Sequence, residues 1–321
     1  MTVIFVSSPV HPAAIADAEK LGQVLLAYGP NAVRYYDVKD DVTAVLLRSG
    51  AFTDAMMAKS PKLRIIARHG VGTDTVDIAA ATRRGIWVTN TPGGNSRAVA
   101  EHVFALAFQL ARKLGQASGQ TRHGLWAQNR ADLNGIELGG RTLGLLGQGN
   151  IGTIVADLAQ AFGMDVIVTD PWLDQAMPHI VPYEELLARA DILSLHLPLT
   201  DYTRGIVDSD AIARMKTGAI LINTSRGGLI DEDALAEALR SGKLGGAGLD
   251  VLDAENTDMV SPMLHNRLPI ADLPNLIVTP HIAGQTEEAL LNVGKAAVRD
   301  IAAVLNSNRP AYPVNQPAGV G

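Results

Sequence analysis

The chain has 321 residues, 47% hydrophobic and 19% charged, which is enough apolar material for two domains of ordinary size. A net charge of −6 with no block of Lys or Arg argues against a nucleic-acid surface. The absence of cysteine excludes disulfides, thiolate metal sites and a Cys nucleophile.

The N-terminus, MTVIFVSSPVHP, has no basic region ahead of its apolar run, so no signal peptide is expected. No apolar stretch reaches membrane length without charges or Gly/Pro breaks. The default expectation is a cytoplasmic protein with no membrane partner.

Residues 1–95 alternate strand-like and helix-like patterns. Strands are expected from Val3 to Val6, Val42 to Leu47, Leu63 to Ala67 and Ile86 to Val88. Helices are expected from His11 to Leu26 and from Asp77 to Arg84, the second stopping at Gly85. Such alternation predicts a parallel sheet, whose ligands bind beyond the carboxyl ends of the strands. Arg48, Ser49, His69 and Asn95 stand at or past those ends.

Ser96 to Leu114 reads as a long helix, apolar enough to be buried, with a polar stretch after it. Strands follow at Leu143–Leu146, Val166–Thr169, Ile192–Leu195, Ala219–Ile222, Gly246–Val251 and Leu276–Thr279. Helices are expected after Gly149, from Asp231 to Arg240 and from Thr286 to Leu305; the tail from Pro310 reads as poorly ordered. The pattern predicts an α/β chain of two doubly wound parallel-sheet domains with a cleft between them. It leaves open which domain the final helix joins.

One stretch carries specific chemistry. Leu143–Leu146 runs into Gly147-Gln148-Gly149-Asn150-Ile151-Gly152, a G-x-G-x-x-G. Gly147 suits the tight turn, Gly149 the approach of a pyrophosphate, and Gly152 the close packing of helix on strand. The helix N-terminus offers free amides and a positive dipole end to phosphates. Asp170 ends the next strand, 18 residues after Gly152, about where an acid meets the adenosine ribose hydroxyls. Strand, turn, helix, strand and acid together point to NAD.

A dinucleotide site leaves the reaction open; hydride transfer to a 2-oxo acid would need a cation for the carboxylate and a proton donor for the carbonyl oxygen. Of eight histidines, His69, His196 and His281 follow strands; His11, His102, His123, His179 and His265 do not. A carboxylate neighbour would keep an imidazole protonated for donation. Spacing does not say which histidine has one. No metal is expected.

The chain resembles the D-isomer-specific 2-hydroxyacid dehydrogenases, particularly their phosphoglycerate-dehydrogenase-like branch. The similarity rests on HGVGTDTVD (His69–Asp77), NTPGGNSRAVAE (Asn90–Glu101), the glycine turn and HLPLTDYTRG (His196–Gly205). It continues through NTSRGGLID (Asn223–Asp231), DVLDAE (Asp250–Glu255) and TPHIAG (Thr279–Gly284). The resemblance implies that Arg226 binds the substrate carboxylate, that His281 is the general acid/base and that Glu255 is its carboxylate partner. It implies substrate contacts from the amides of Val71 and Gly72, with Arg48, Ser49 and Asn95 nearby. Asp250 would hold the nicotinamide carboxamide, and His196 and Pro198 would wall the adenine. Thr203, Thr224 and Gly284 are carried over with Gly147, Gly149, Asn150, Ile151, Gly152 and Asp170 as cofactor residues.

The family's fold implies a discontinuous substrate domain, residues 1–95 and 285–321, around an NAD domain, residues 96–284, and a homodimer. Two departures stand out. Asn256 follows Glu255 where the family usually has Pro, and the loop from Glu255 to Leu273 is long. No appended regulatory domain is expected after Leu305.

The activity so implied is interconversion of a small D-2-hydroxy acid and its 2-oxo acid. A dinucleotide-sensing corepressor is the rival from another class. Glu255 counts against the formate-oxidising relatives, which carry Gln there. Candidate substrates are 3-phosphoglycerate, glycerate/hydroxypyruvate, lactate-like acids and sulfolactate.

Overall fold

A computed structural model describes residues 2–126, 130–258 and 261–317. It divides into two compact units, residues 1–96 with 284–321 and residues 97–283.

The first unit runs β1 (Val3–Val6), α1 (Pro12–Glu19), β2 (Gln23–Leu26), α2 (Tyr35–Val38), β3 (Ala44–Leu47), α3 (Asp54–Ala58), β4 (Ile65–Arg68), α4 (Ile78–Arg83) and β5 (Trp87–Thr89). Its five strands are parallel, in the order β2-β1-β3-β4-β5. Val3, Phe5, Val45, Leu47 and Ile66 pack on one face; Ile4, Val6, Ala44, Leu46 and Ile65 pack on the other. Helices cover both faces, which is why these strands read as unbroken apolar runs.

The helix expected from His11 to Leu26 is two elements. α1 stops at Glu19, and Gln23–Leu26 forms the edge strand β2. Gly22 marks the break: a Cβ there would come within 2.4 Å of the Thr2 carbonyl oxygen. The half-exposed VLL of β2 lacks the full burial that made the inner strands visible.

The second unit runs α5 (Ser96–Ala111), α6 (Leu114–Arg122), β6 (Thr142–Leu146), α7 (Asn150–Ala161), β7 (Asp165–Thr169), α8 (Tyr183–Arg189), β8 (Ile192–Leu195) and α9 (Ser209–Arg214). It continues with β9 (Ala219–Asn223), α10 (Glu232–Arg240), β10 (Leu244–Leu249) and β11 (Leu276–Val278). The sheet has six parallel strands in the order β11-β10-β9-β8-β6-β7. α5 buries Ala100, Val103, Phe104, Leu106, Ala107 and Ala111 in this unit's core, so its apolar stripe belongs to this sheet. β10 ends at Leu249, which leaves Asp250 just past the strand.

The last helix, α11 (Glu287–Leu305), joins the first unit. It packs on α1 and β4 and buries Ala297, Val298, Ile301 and Val304 beside Trp87. The tail beyond it is tied down as far as Asn315, contrary to the sequence expectation. Ala311 N–H donates to Asp300 Oδ1 (2.7 Å), Val314 N–H to the Val88 carbonyl (2.8 Å) and Val88 N–H to Asn315 Oδ1 (2.7 Å). The edge of β5 has free backbone groups to satisfy, and this segment supplies the partners. Residues 318–321 lie outside the described part.

Candidate functional site

The register of the second sheet decides what its edge presents. Leu146 pairs with Leu195, Leu195 with Asn223, Asn223 with Leu249 and Leu249 with Val278. The five strands therefore end level. The residues that follow them, Gly147, His196, Arg226, Asp250 and His281, come off one edge. The strand order reverses between β6 and β8, the position at which open α/β sheets take ligands.

The glycine turn sits at that reversal. Gly147 has φ +94°, and a Cβ on it would stand 2.8 Å from the His196 carbonyl oxygen. A Cβ on Gly152 would stand 2.6 Å from the Gly147 carbonyl oxygen, so α7 starts against the turn. Nothing lies within 4 Å of a Cβ position on Gly149, the residue preceding Asn150 and Ile151 at the start of the helix. Its backbone is open to a phosphate. Asp170 accepts the Gln148 N–H at Oδ2 and the Trp172 N–H at Oδ1, both at 2.9 Å. Buried Thr224 Oγ1 and His196 Nδ1 have no hydrogen-bond partner among the described residues. Open glycine amides, a terminal acid and unpartnered polar atoms along the edge fit a dinucleotide.

His196 does not suit proton donation. Its Nε2 lies 2.9 Å from Ser194 Oγ, and burial pushes its pKa down to about 4. The neutral ring sits just past β8, two residues before Pro198. Thr203 closes the turn after β8 by donating to the Pro198 carbonyl at 2.7 Å.

His281 meets the carboxylate that spacing could not assign. Its Nδ1 lies 2.7 Å from Glu255 Oε2. Glu255 Oε1 accepts the Leu252 N–H at 2.9 Å, which fixes the other end of the carboxylate. The loop from Glu255 to Leu273 is anchored by buried Leu268 and Leu273, so its length leaves the pair intact. Residues 259 and 260 of that loop lie outside the described part.

Asp250 is 1% exposed, and both its oxygens are taken. Oδ1 accepts Thr279 Oγ1–H (2.5 Å) and Ile282 N–H (2.9 Å); Oδ2 accepts Ala283 N–H (2.8 Å). The His281 N–H donates to the Asp250 carbonyl at 2.9 Å, and His281 holds φ +53°. Asp250 thus braces the loop that presents the imidazole. His102 stands behind it, Nε2 lying 3.0 Å from Thr279 Oγ1. Neither His102 nor Thr279 was singled out in the sequence; a partly buried polar pair on distant elements leaves no periodic signal.

Arg226 follows β9 in a turn fixed by buried Asn223, whose Oδ1 accepts the Ser225 N–H (3.0 Å) and whose Nδ2 donates to the Arg226 carbonyl (2.8 Å). Its guanidinium donates to the Ser225 carbonyl at 2.7 Å. The next residue, Gly227, packs against the Leu252–Asp253 backbone: a Cβ there would lie 2.0 Å from the Leu252 carbonyl carbon. The turn bearing Arg226 and the turn bearing Glu255 are therefore in direct backbone contact.

In the first unit Arg48 and Ser49 follow β3 at the strand reversal between β1 and β3, while Val71 and Gly72 follow β4 and Asn95 follows β5. The Arg48 side chain is half-buried, donates to the Pro9 carbonyl and has no carboxylate in ion-pair range among the described residues. Ser49 Oγ hydrogen-bonds Ser8 Oγ. Arg68, the last residue of β4, donates to the Gly72 carbonyl (2.8 Å) and so shapes the Val71–Gly72 turn; Asn90 Nδ2 donates to the Val71 carbonyl (2.9 Å). Asn95 lies against Gly284 in the same unit, 2.7 Å from where a Cβ would be. His69 turns away beneath α11, near Gly294, and burial with the nearby Arg48 charge lowers its pKa to about 4.

Among the described residues no group of three or more His, Asp or Glu side chains is placed to hold a metal, and no helix is long and apolar enough to cross a membrane.

The sequence model of the D-isomer specific 2-hydroxyacid dehydrogenase NAD binding domain matches residues 104–283. D-3-phosphoglycerate dehydrogenase of Methanocaldococcus jannaschii is 40% identical over 324 residues, covering 99% of this chain and 60% of the relative. The chain thus spans about three fifths of that relative's length. A crystal structure of a Thermus thermophilus protein superposes with a TM-score of 0.87 at 36% identity, covering 98% of this chain and 100% of the other. D-lactate dehydrogenase of Aquifex aeolicus, solved with NAD and lactic acid, gives 0.83 at 28% identity, covering 98% of this chain and 100% of that one. The chain belongs to the D-isomer-specific 2-hydroxyacid dehydrogenase family, on its phosphoglycerate-dehydrogenase-like branch, and carries that family's NAD-binding domain.

Proposed function

We propose that the protein is an NAD-dependent dehydrogenase interconverting a small D-2-hydroxy acid and its 2-oxo acid. The observation that carries this reading is the 2.7 Å pair of His281 Nδ1 and Glu255 Oε2, beside the turn that bears Arg226. When bound, reduced NAD supplies the hydride. Arg226 holds the substrate carboxylate and polarises the carbonyl. His281 gives its proton to the carbonyl oxygen in reduction and takes it back in oxidation. Glu255 stabilises the imidazolium and fixes the ring, so that Nε2 is the nitrogen left to face substrate.

Residues 97–283 form the NAD-binding domain in this reading, and residues 1–96 with 284–321 the substrate domain. The amides of Val71 and Gly72 support carboxylate binding, and Arg48 recognises a second anionic group. The relatives named D-3-phosphoglycerate dehydrogenase favour a phosphorylated acid as substrate. The protein works as a cytoplasmic homodimer.

The test is a panel of 2-oxo acids with NADH, followed by loss of the reduced cofactor's absorbance. Turnover that is greatest on an acid with a second anionic group is the expected result. Tight NAD(H) binding with no turnover on any acid would overturn the enzymatic reading in favour of a dinucleotide sensor.

A further inference from the structure

We propose that Glu232 is a positioning residue for the acid/base pair, acting through the turn that carries Glu255. This rests on the dehydrogenase reading above.

Glu232 is the first residue of α10, after the N-cap Asp231. A glutamate there ordinarily points to water and gains from the helix dipole. Glu232 is instead 4% exposed. Burying a carboxylate is costly unless it is hydrogen-bonded, and here burial raises its pKa, with the Asp253 charge adding to the effect. The charged groups facing it are Asp253, Asp233 and Arg267. Two acids against one exposed arginine do not make an ion-pair site, so the burial serves something other than charge pairing.

What Glu232 holds is the Asp253 N–H, at 2.8 Å from Oε1. Asp253 opens the 3₁₀ turn Asp253–Asn256, and the third residue of that turn is Glu255. The preceding amide, Leu252 N–H, binds Glu255 Oε1, and Glu255 Oε2 meets His281. Two consecutive amides are thus held by two glutamates. One belongs to the acid/base pair, and the other anchors the turn to α10. The same backbone is approached closely by Gly227, whose Cβ position lies 2.1 Å from the Asp253 nitrogen, and by Gly228, whose Cβ position lies 2.9 Å from Asp253 Oδ1. The turn is thus held by α10 and packed against the two residues that follow Arg226. Releasing the Glu232 side lets Glu255 move relative to His281 without disturbing the glycine turn after β6.

The test compares Glu232→Met, which keeps the volume and loses the acceptor, with Glu232→Gln, which keeps an acceptor for the Asp253 N–H. Reduction kinetics are measured across pH, with NADH affinity followed in parallel. Glu232→Met is expected to lower kcat about 10- to 100-fold, the scale of an ångström-sized misplacement. KM and NADH affinity should stay within about twofold, a shift small beside that loss. The pH above which reduction declines should also fall, because an imidazolium without a close carboxylate gives up its proton more easily. Glu232→Gln should restore both kcat and the pH profile. An unchanged profile in Glu232→Met, or a loss in Glu232→Gln as large as in Glu232→Met, would overturn the proposal. If Glu232→Met does not fold, Glu232→Ala, which also removes the acceptor for the Asp253 N–H, takes its place with the same expected fall in kcat and shift of the pH profile. Inactivity of the unsubstituted protein on every 2-oxo acid would instead be a failure of the dehydrogenase reading.

Discussion

His281 and Glu255 stand 26 positions apart in the chain and 2.7 Å apart in space, and each is held by the backbone of a different strand end. His281 follows β11 and Glu255 follows β10; the two strands pair in register at Leu249 and Val278. The imidazole is about half exposed, while the carboxylate is largely covered. The acid is thus fixed and the ring is left accessible to a reactant.

Removing the ring should be the most damaging change at the site. His281→Ala is expected to lower kcat by roughly 10²–10⁴, the usual worth of a positioned acid/base. Glu255→Gln should displace the pH profile with little change in NADH binding. Steady-state kinetics across pH check both. A crippling His69→Ala beside a mild His281→Ala would move the role to His69; the burial of His69 beneath α11 speaks against that outcome.

NAD(H) should be preferred over NADP(H). Asp170 follows β7 with both oxygens oriented by backbone amides, and a fixed carboxylate there repels a 2′-phosphate. Pro171 and Trp172 follow it and supply no guanidinium. The ratio of kcat/KM for the two cofactors measures this, and equal or better use of NADPH would contradict it.

Arg48→Ala should hurt anionic substrates selectively. The guanidinium is half-buried with a carbonyl and, among the described residues, no carboxylate in ion-pair range, so its charge is available to a ligand. Losing one charge-assisted hydrogen bond costs about 1.5–3 kcal/mol, roughly a 10- to 150-fold fall in kcat/KM on a substrate with a second anionic group. On pyruvate the fall should be much smaller. Equal falls on both would make Arg48 structural.

Acid should destabilise the first unit through His69. Its folded pKa, about 4, lies below its ordinary value of 6.5, so the unfolded chain binds the extra proton first as pH falls. The neutral ring's contribution is complete above about pH 6.5 and is lost progressively down to about pH 4, amounting to at most about 3 kcal/mol. Thermal unfolding of the protein and of His69→Leu across this window reads the effect. A variant that keeps the full acid sensitivity of the parent would exclude His69 as its source.

A homodimer should persist at micromolar concentration. α6 buries none of its nine residues, and Leu114, Leu125 and Trp126 are exposed at 52%, 36% and 76%. That is apolar surface without cover in one copy of the chain. Sedimentation at several concentrations checks it, and a monomer throughout would remove the inference.

Much of the fold was legible in the chain because its signals are local. Strand-length apolar runs alternating with helical stripes define a buried parallel sheet, and Gly147-x-Gly149-x-x-Gly152 with Asp170 defines a phosphate turn within 24 residues. The resemblance added names for the roles. The weak signals failed where burial was partial: β2 is a half-exposed edge and reads as the end of a helix, and the Pro-rich tail looks loose although Val314 and Asn315 close the β5 edge. Distance along the chain hid the rest. Three histidines end strands, and nothing in the spacing ranks them; the structure separates them because one ring is sealed under α11, one is buried beside Ser194 and one meets a carboxylate. Asp250, expected to hold the nicotinamide carboxamide, also accepts hydrogen bonds from Thr279, Ile282 and Ala283, contacts visible only when the loop is folded back on it. Residue type and local turn geometry, both written in the chain, determine which groups can do the chemistry. Tertiary structure decides which of them do, because proton affinity and donor count depend on neighbours that the chain supplies from elsewhere.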